Sequence, residues 1–120
     1  MSPRLLVIKK AAKVQGMLPQ YIITLGAHTE FRTHAGKSGK FEAADYKIIE
    51  KIVRKVHGFQ GCTIIRAQGF YEGREEDTVQ ITILEKDYAK IVACAQQLRE
   101  TFRQNEVLVV SGGVGEFLRS

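Results

Sequence analysis

The clearest pattern in the chain is a strict alternation over residues 77–84. Val79, Ile81 and Ile83 are apolar, while Thr78, Gln80 and Thr82 between them are polar. A period of two predicts a strand with one buried and one wetter face. YIITLGA (21–27) and GCTIIRAQGFY (61–71) are rich in β-branched and aromatic residues and predict two further strands, and VLVV (107–110) a last one. Between these the spacing turns helical. Ile49, Ile52, Val53 and Val56 share one face of a helix over 43–57 that Gly58 closes. Ile91, Ala95, Leu98 and Phe102, with Cys94 alongside, predict a second helix over 87–103 with Asp87 as its N-cap. The intervening EGREE, which contains Gly73, is short enough to turn a hairpin.

The element order is therefore β-α-β-β-α-β, the split βαβ arrangement. Right-handed crossovers leave few ways to assemble it. The expected fold is α+β, a ferredoxin-like sandwich with a four-stranded sheet and two helices on one face. Thr78, Gln80 and Thr82 then line the uncovered face, which meets water, the N-terminal segment or another subunit; an apolar patch there argues for oligomerisation. The chain divides into a basic extension (1–18), the ferredoxin-like unit (19–111) and a glycine-rich tail (112–120). The extension reads as a short helix with Ser2 as N-cap, Pro3 at its first position and Gly16 at its end, or as a strand over 5–8. Residues 28–42 form the longest irregular stretch, and loops of that length in compact domains are usually functional or disordered.

With 120 residues, 44% hydrophobic and 26% charged, the chain suits one soluble domain. It has no apolar run long enough for a membrane span. MSPRLLVIKK places its basic residues after the apolar stretch, which is not the secretory order. Cys62 and Cys94 sit among apolar neighbours and read as small core residues, so the cytoplasm is the expected compartment. The net charge of +5 is unevenly spread: Arg4, Lys9, Lys10 and Lys13 have no acid near them, and Arg32, Lys37 and Lys40 make the long loop basic. That asymmetry points to an anionic partner: a phosphate-bearing small molecule, nucleic acid or an acidic protein surface.

No catalytic constellation stands out. AGKSGK (35–40) lacks the leading glycine of a phosphate-binding P-loop, since Phe31 occupies that position. His28, His34 and His57 have no cysteine or carboxylate at ligand spacing, so no metal and no cofactor is nominated. Glu75, Glu76 and Asp77 read as a solvated turn. Phe70 and Tyr71 are adjacent on a strand, so one must leave the core; beside Arg66 and Arg74 it would stack on a base. Arg99 and Arg103, four apart, share one face at the end of the second helix and would clamp a phosphate.

GFQGCTIIRAQGFYEG, EEDTVQITIL and a helix ending in FRQNEVLVV together resemble a group of small bacterial and phage proteins with a ferredoxin-like fold. The plan is also similar to that of PII-like signalling proteins, which are oligomers that bind nucleotides between subunits. The short link between the second and third strands departs from PII, leaving no room for its long signalling loop. A weaker resemblance is to phage proteins that sequester the cyclic ADP-ribose signals of Thoeris defence. These likenesses imply a non-catalytic, oligomeric binder of a small anionic, nucleotide-like ligand, not an enzyme. Its site would draw on His28, Arg32, Lys37, Arg66, Phe70, Tyr71, Arg74, Arg99 and Arg103. The alternatives are a nucleic-acid-binding module using the basic N-terminus, and a small ferredoxin-like enzyme with His28 or His34 as base.

Overall fold

The computed structural model describes residues 18–27, 40–71 and 73–119. The N-terminal segment, and the loop carrying His28, Arg32, His34 and Lys37, lie outside the described residues. Among the described residues five strands form one antiparallel sheet: β1 (Gln20–Ala27), β2 (Cys62–Tyr71), β3 (Arg74–Leu84), β4 (Glu106–Ser111) and β5 (Val114–Arg119), in the order β2-β3-β1-β4-β5. Helix α1 (Ala43–Glu50), continued by a π-helical stretch (Lys51–Val56), crosses from β1 to β2. Helix α2 (Tyr88–Thr101) crosses from β3 to β4. The first four strands thus have the split βαβ order.

The expected four-stranded sheet is corrected to five strands. Gly112 and Gly113, at φ 58° and 81°, make a tight turn in a left-handed conformation that glycine adopts without strain. The turn sends residues 114–119 back along β4, with Val107 opposite Leu118 and Val109 opposite Glu116. The glycines that read as a loose tail are a hairpin turn.

Both helices cover the same side of the sheet. Ile23, Leu25, Val79, Ile81, Ile83, Val107 and Val109, all of one strand parity, join Ile49, Ile52, Val53, Ile91, Cys94, Ala95 and Leu98 in a single buried cluster. The edge-to-face pair of Phe41 and Phe102, centroids 5.7 Å apart, closes one end of it. Asp87 caps α2, its Oδ1 accepting from the Ala89 N–H at 3.0 Å. The two cysteines are free, Cys94 buried and Cys62 half-buried.

One position of the helical stripe departs from expectation. Val56 is 53% exposed. The His57 N–H reaches the Ile52 carbonyl at 3.0 Å, a step of five residues, and this wider turn rotates Val56 out of the apolar face.

Leu98, fully buried on α2, gives a direct test of the core. Leu98→Ala should lower stability in urea denaturation by about 2–5 kcal/mol, because the packed neighbours only partly refill the cavity.

Candidate functional site

The hairpin between β2 and β3 carries the densest group of charged side chains among the described residues. Because side chains alternate along β3, Glu75 and Asp77 point to the helix-covered side and Glu76 to the other. Asp77 joins three elements. Its Oδ2 accepts the Phe41 backbone N–H at 2.9 Å, just ahead of α1. Its two oxygens also accept from the Arg66 guanidinium on β2 at 3.0 and 3.1 Å. This bidentate pairing keeps Arg66 in its charged form. Gln68 donates to Glu75 Oε2 at 2.7 Å.

Glu76 sits against the backbone of β1. A Cβ placed on Gly26 would lie 2.3 Å from Glu76 Oε1, so the absence of a side chain at Gly26 is what makes the seat. A Cβ on Gly69 would likewise press on Thr78 Oγ1 at 2.6 Å. Beyond Thr24, where β4 stops pairing with β1, the side chain of Gln104 takes the place of a strand. Its Nε2 donates to the Gly26 carbonyl at 2.6 Å and its Oε1 accepts from the Gly26 N–H at 3.3 Å. Nearby on α1, burial pushes the Tyr46 phenol up from its ordinary range, and its hydroxyl has no hydrogen-bond partner among the described residues.

These groups border a cleft of about 610 Å³ lined by Lys40, Arg66, Ala67, Gln68, Glu75, Glu76 and Asp77. The volume is within the range of small-molecule sites. The lining residues include three acids and two cations, but the Glu76 carboxylate turns to the opposite side of the sheet, so Glu75 and Asp77 balance Lys40 and Arg66 within the cleft.

The residues nominated from sequence scatter. Arg66 lines this cleft. Phe70, 71% exposed, stands at the hairpin end of β2, opposite Glu75. Tyr71 and Arg74 pair backbone to backbone at the hairpin; their side chains, with His28, Arg32 and Lys37, are outside the described set. Arg99 is occupied as a clasp, donating to Gln96 Oε1 at 2.6 Å and to the Gln104 carbonyl at 3.3 Å. Arg103 does not share its helical face: α2 ends at Thr101, and Arg103 turns away at φ 55°. Glu76 and Gln104 were missed. The only sequence signal for them was an acid following GFYEG and a glutamine before the last strand. Among the described residues no group of three or more His, Cys, Asp or Glu is placed to hold a metal ion, and no helix is long and apolar enough to cross a membrane.

Two solved structures share this fold. One is a phage SAM lyase in complex with S-methyl-5'-thioadenosine, with a TM-score of 0.64, 20% identity, and coverage of 88% of this chain and 92% of that one. The other is a phage SAM lyase in the apo state, with a TM-score of 0.66, 20% identity, and coverage of 89% and 93%. At such identity the likeness is one of fold. No protein-family model and no curated protein matches the sequence. The resemblance to small phage proteins holds in the coarse sense that both neighbours are phage proteins; no family or curated match supports the PII-like or Thoeris likeness. The matches also overturn the reading as a non-catalytic, signal-sequestering binder, and with it the expectation that the chain is not an enzyme, since both neighbours are enzymes. That reading rested on seeing no paired titratable groups. The hairpin acids, taken for a solvated turn, are in fact held against β1, β2 and the start of α1.

Two substitutions test this geometry. Asp77→Ala removes the acceptor shared by Phe41 and Arg66 and should cost about 1–3 kcal/mol in urea denaturation. Gly26→Ala should cost about 1 kcal/mol or less, because the flexible Glu76 side chain can swing aside. In a Glu76→Ala background the same change should be neutral within about 0.5 kcal/mol, a coupling that a double-mutant cycle reads directly.

Proposed function

We propose that this protein is a small lyase that cleaves SAM or a closely related adenosyl sulfonium, with the Glu76 carboxylate at the β2–β3 hairpin as its substrate-orienting group. The observation that carries this reading is the Glu76 carboxylate seated over Gly26, in a fold shared over 88% of the chain with a phage SAM lyase. A sulfonium substrate supplies its own leaving group. When the bond from sulfur to the aminobutyryl carbon breaks, the electron pair stays on sulfur, giving the neutral thioether S-methyl-5'-thioadenosine. As a lyase reaction this admits no water, and the carbon fragment completes its valence internally or by losing a proton.

The charge change at sulfur limits what Glu76 can do. A carboxylate against the sulfonium would favour the substrate over a transition state in which that positive charge fades. Glu76 therefore serves groups that keep their polarity through the reaction, the ribose hydroxyls or the ammonium, and so orients the substrate. His28 and His34 are the candidate bases for a proton-losing route. They are dispensable if the carbon fragment closes internally.

The uncovered sheet face supports self-association. Two adjacent rows across it, Thr63-Thr82-Ile22-Val110 and Ile65-Gln80-Thr24-Leu108-Phe117, contain no charged residue. Ile65 and Phe117 are 48% and 55% exposed. A second copy covering this face removes that surface from water.

Incubation with SAM followed by chromatography should show S-methyl-5'-thioadenosine accumulating, and no product would end the proposal. Glu76→Gln should lower kcat/KM roughly ten- to hundredfold, the worth of a hydrogen bond to a charged group. Full turnover in His28→Ala and His34→Ala would assign the internal route; its loss would assign the base. Light scattering should report an oligomer for the parent protein and a monomer for Phe117→Asp.

A further inference from the structure

We propose that the opposite end of the sheet holds a second ligand site, a pocket walled by a packed pair of tyrosine rings, for a small organic cation with a methylated ammonium or sulfonium head. It is remote from the β2–β3 hairpin. Tyr21 lies opposite Ile83 near the start of β1, whereas Ala27 lies opposite Asp77 at its end, a separation of roughly 20 Å along the strand. The inference therefore does not depend on the proposed activity.

The pocket follows from where α2 begins. Tyr88, the first residue of α2, stands beside Glu116 on β5, its hydroxyl donating to Glu116 Oε1. Further along the helix, Gln96 reaches the Arg119 carbonyl. The helix thus runs along β5 from Glu116 onward, and the tip of the β4–β5 hairpin projects past its first turn. Val114, at that tip, is 72% exposed although it stands on the helix-covered side. The uncovered corner is a cavity of about 440 Å³ bordered by Tyr21, Tyr88, Val109, Ser111, Val114 and Glu116.

The lining selects the ligand. The rings of Tyr21 and Tyr88 lie 5.4 Å apart at a tilt of 30°. Tyr21 is only half-buried and Tyr88 is 38% exposed, so ring surface remains open to a guest. The faces of aromatic rings are electron-rich and attract cations. Among the described residues, Glu116 is the only charged one in the lining, and it is an acid. The bond to Glu116 pushes the Tyr88 phenol up to about 12, so it remains a donor and holds the carboxylate at the pocket wall. Val109 and Val114 add methyl groups that a bare, strongly hydrated ion cannot use. A diffuse, methylated cation contacts both kinds of surface and gives up less hydration on entering.

Tetramethylammonium chloride, titrated into the ¹⁵N-labelled protein at constant ionic strength, is the probe. tert-Butanol, neutral and of nearly the same shape, is its control. Saturable amide shifts confined to Tyr21, Tyr88 and residues 111–116 are expected with tetramethylammonium, at roughly millimolar affinity, and none with tert-butanol. Glu116→Gln and Tyr21→Leu should each weaken binding about threefold or more. Tyr88→Phe keeps the ring while releasing the carboxylate, so binding should be retained or tightened. Equal shifts from tert-butanol, shifts that never saturate, or affinity unchanged in Glu116→Gln would overturn the proposal. If Tyr21→Leu fails to fold, the comparison of the two probes on the parent protein and on Glu116→Gln decides the matter.

Discussion

The register of β3 is the constraint on which the rest of the structure depends. This strand pairs with β2 on one side and β1 on the other, and Val79, Ile81 and Ile83 have no exposed surface. A slip of one residue would drive Thr78, Gln80 and Thr82 into the helix-covered core and expose all three apolar side chains. Burial of a few methyl-rich residues therefore sets the strand's position with little tolerance. The same strand begins with the hairpin acids. Core packing at one end of β3 thereby dictates that Asp77 faces Arg66 and the start of α1, and that Glu76 faces Gly26 on the other side.

The seat of Glu76 and the aromatic pocket are both consequences of elements that stop short of their neighbours. β4 ends its pairing with β1 at Thr24, and Gln104 satisfies the Gly26 backbone groups left over. The missing side chain at Gly26 leaves room for the Glu76 carboxylate against β1. At the other end, α2 starts one hairpin tip too late to cover Val114. Buried polar groups in such gaps must be satisfied individually. That explains why the side chains there carry specific hydrogen bonds rather than generic packing.

Much of the fold was legible from periodicity alone. The alternation in β3, the helix signalled by Ile91, Ala95, Leu98 and Phe102, and the Asp87 cap all read directly, because each is a local pattern with one structural solution. The site was far less legible. Arg99 and Arg103 were grouped by helical spacing, yet the helix ended between them. Val56 fitted the apolar stripe until a π turn displaced it. Glu76 and Asp77 looked like a solvated hairpin tip because nothing in their neighbourhood along the chain announces Phe41 or Gly26, more than thirty residues away.

The amino-acid sequence by itself determined the element order, the burial of one sheet face and the pairing of two amphipathic helices with it. These follow from side-chain period and polarity within short windows. Tertiary structure alone decided the fifth strand, the acid seat over a bare glycine and the aromatic corner at the start of α2. Each of these requires groups distant in sequence to meet. Where they meet is set by sheet register and element length across the whole fold, which no local window contains.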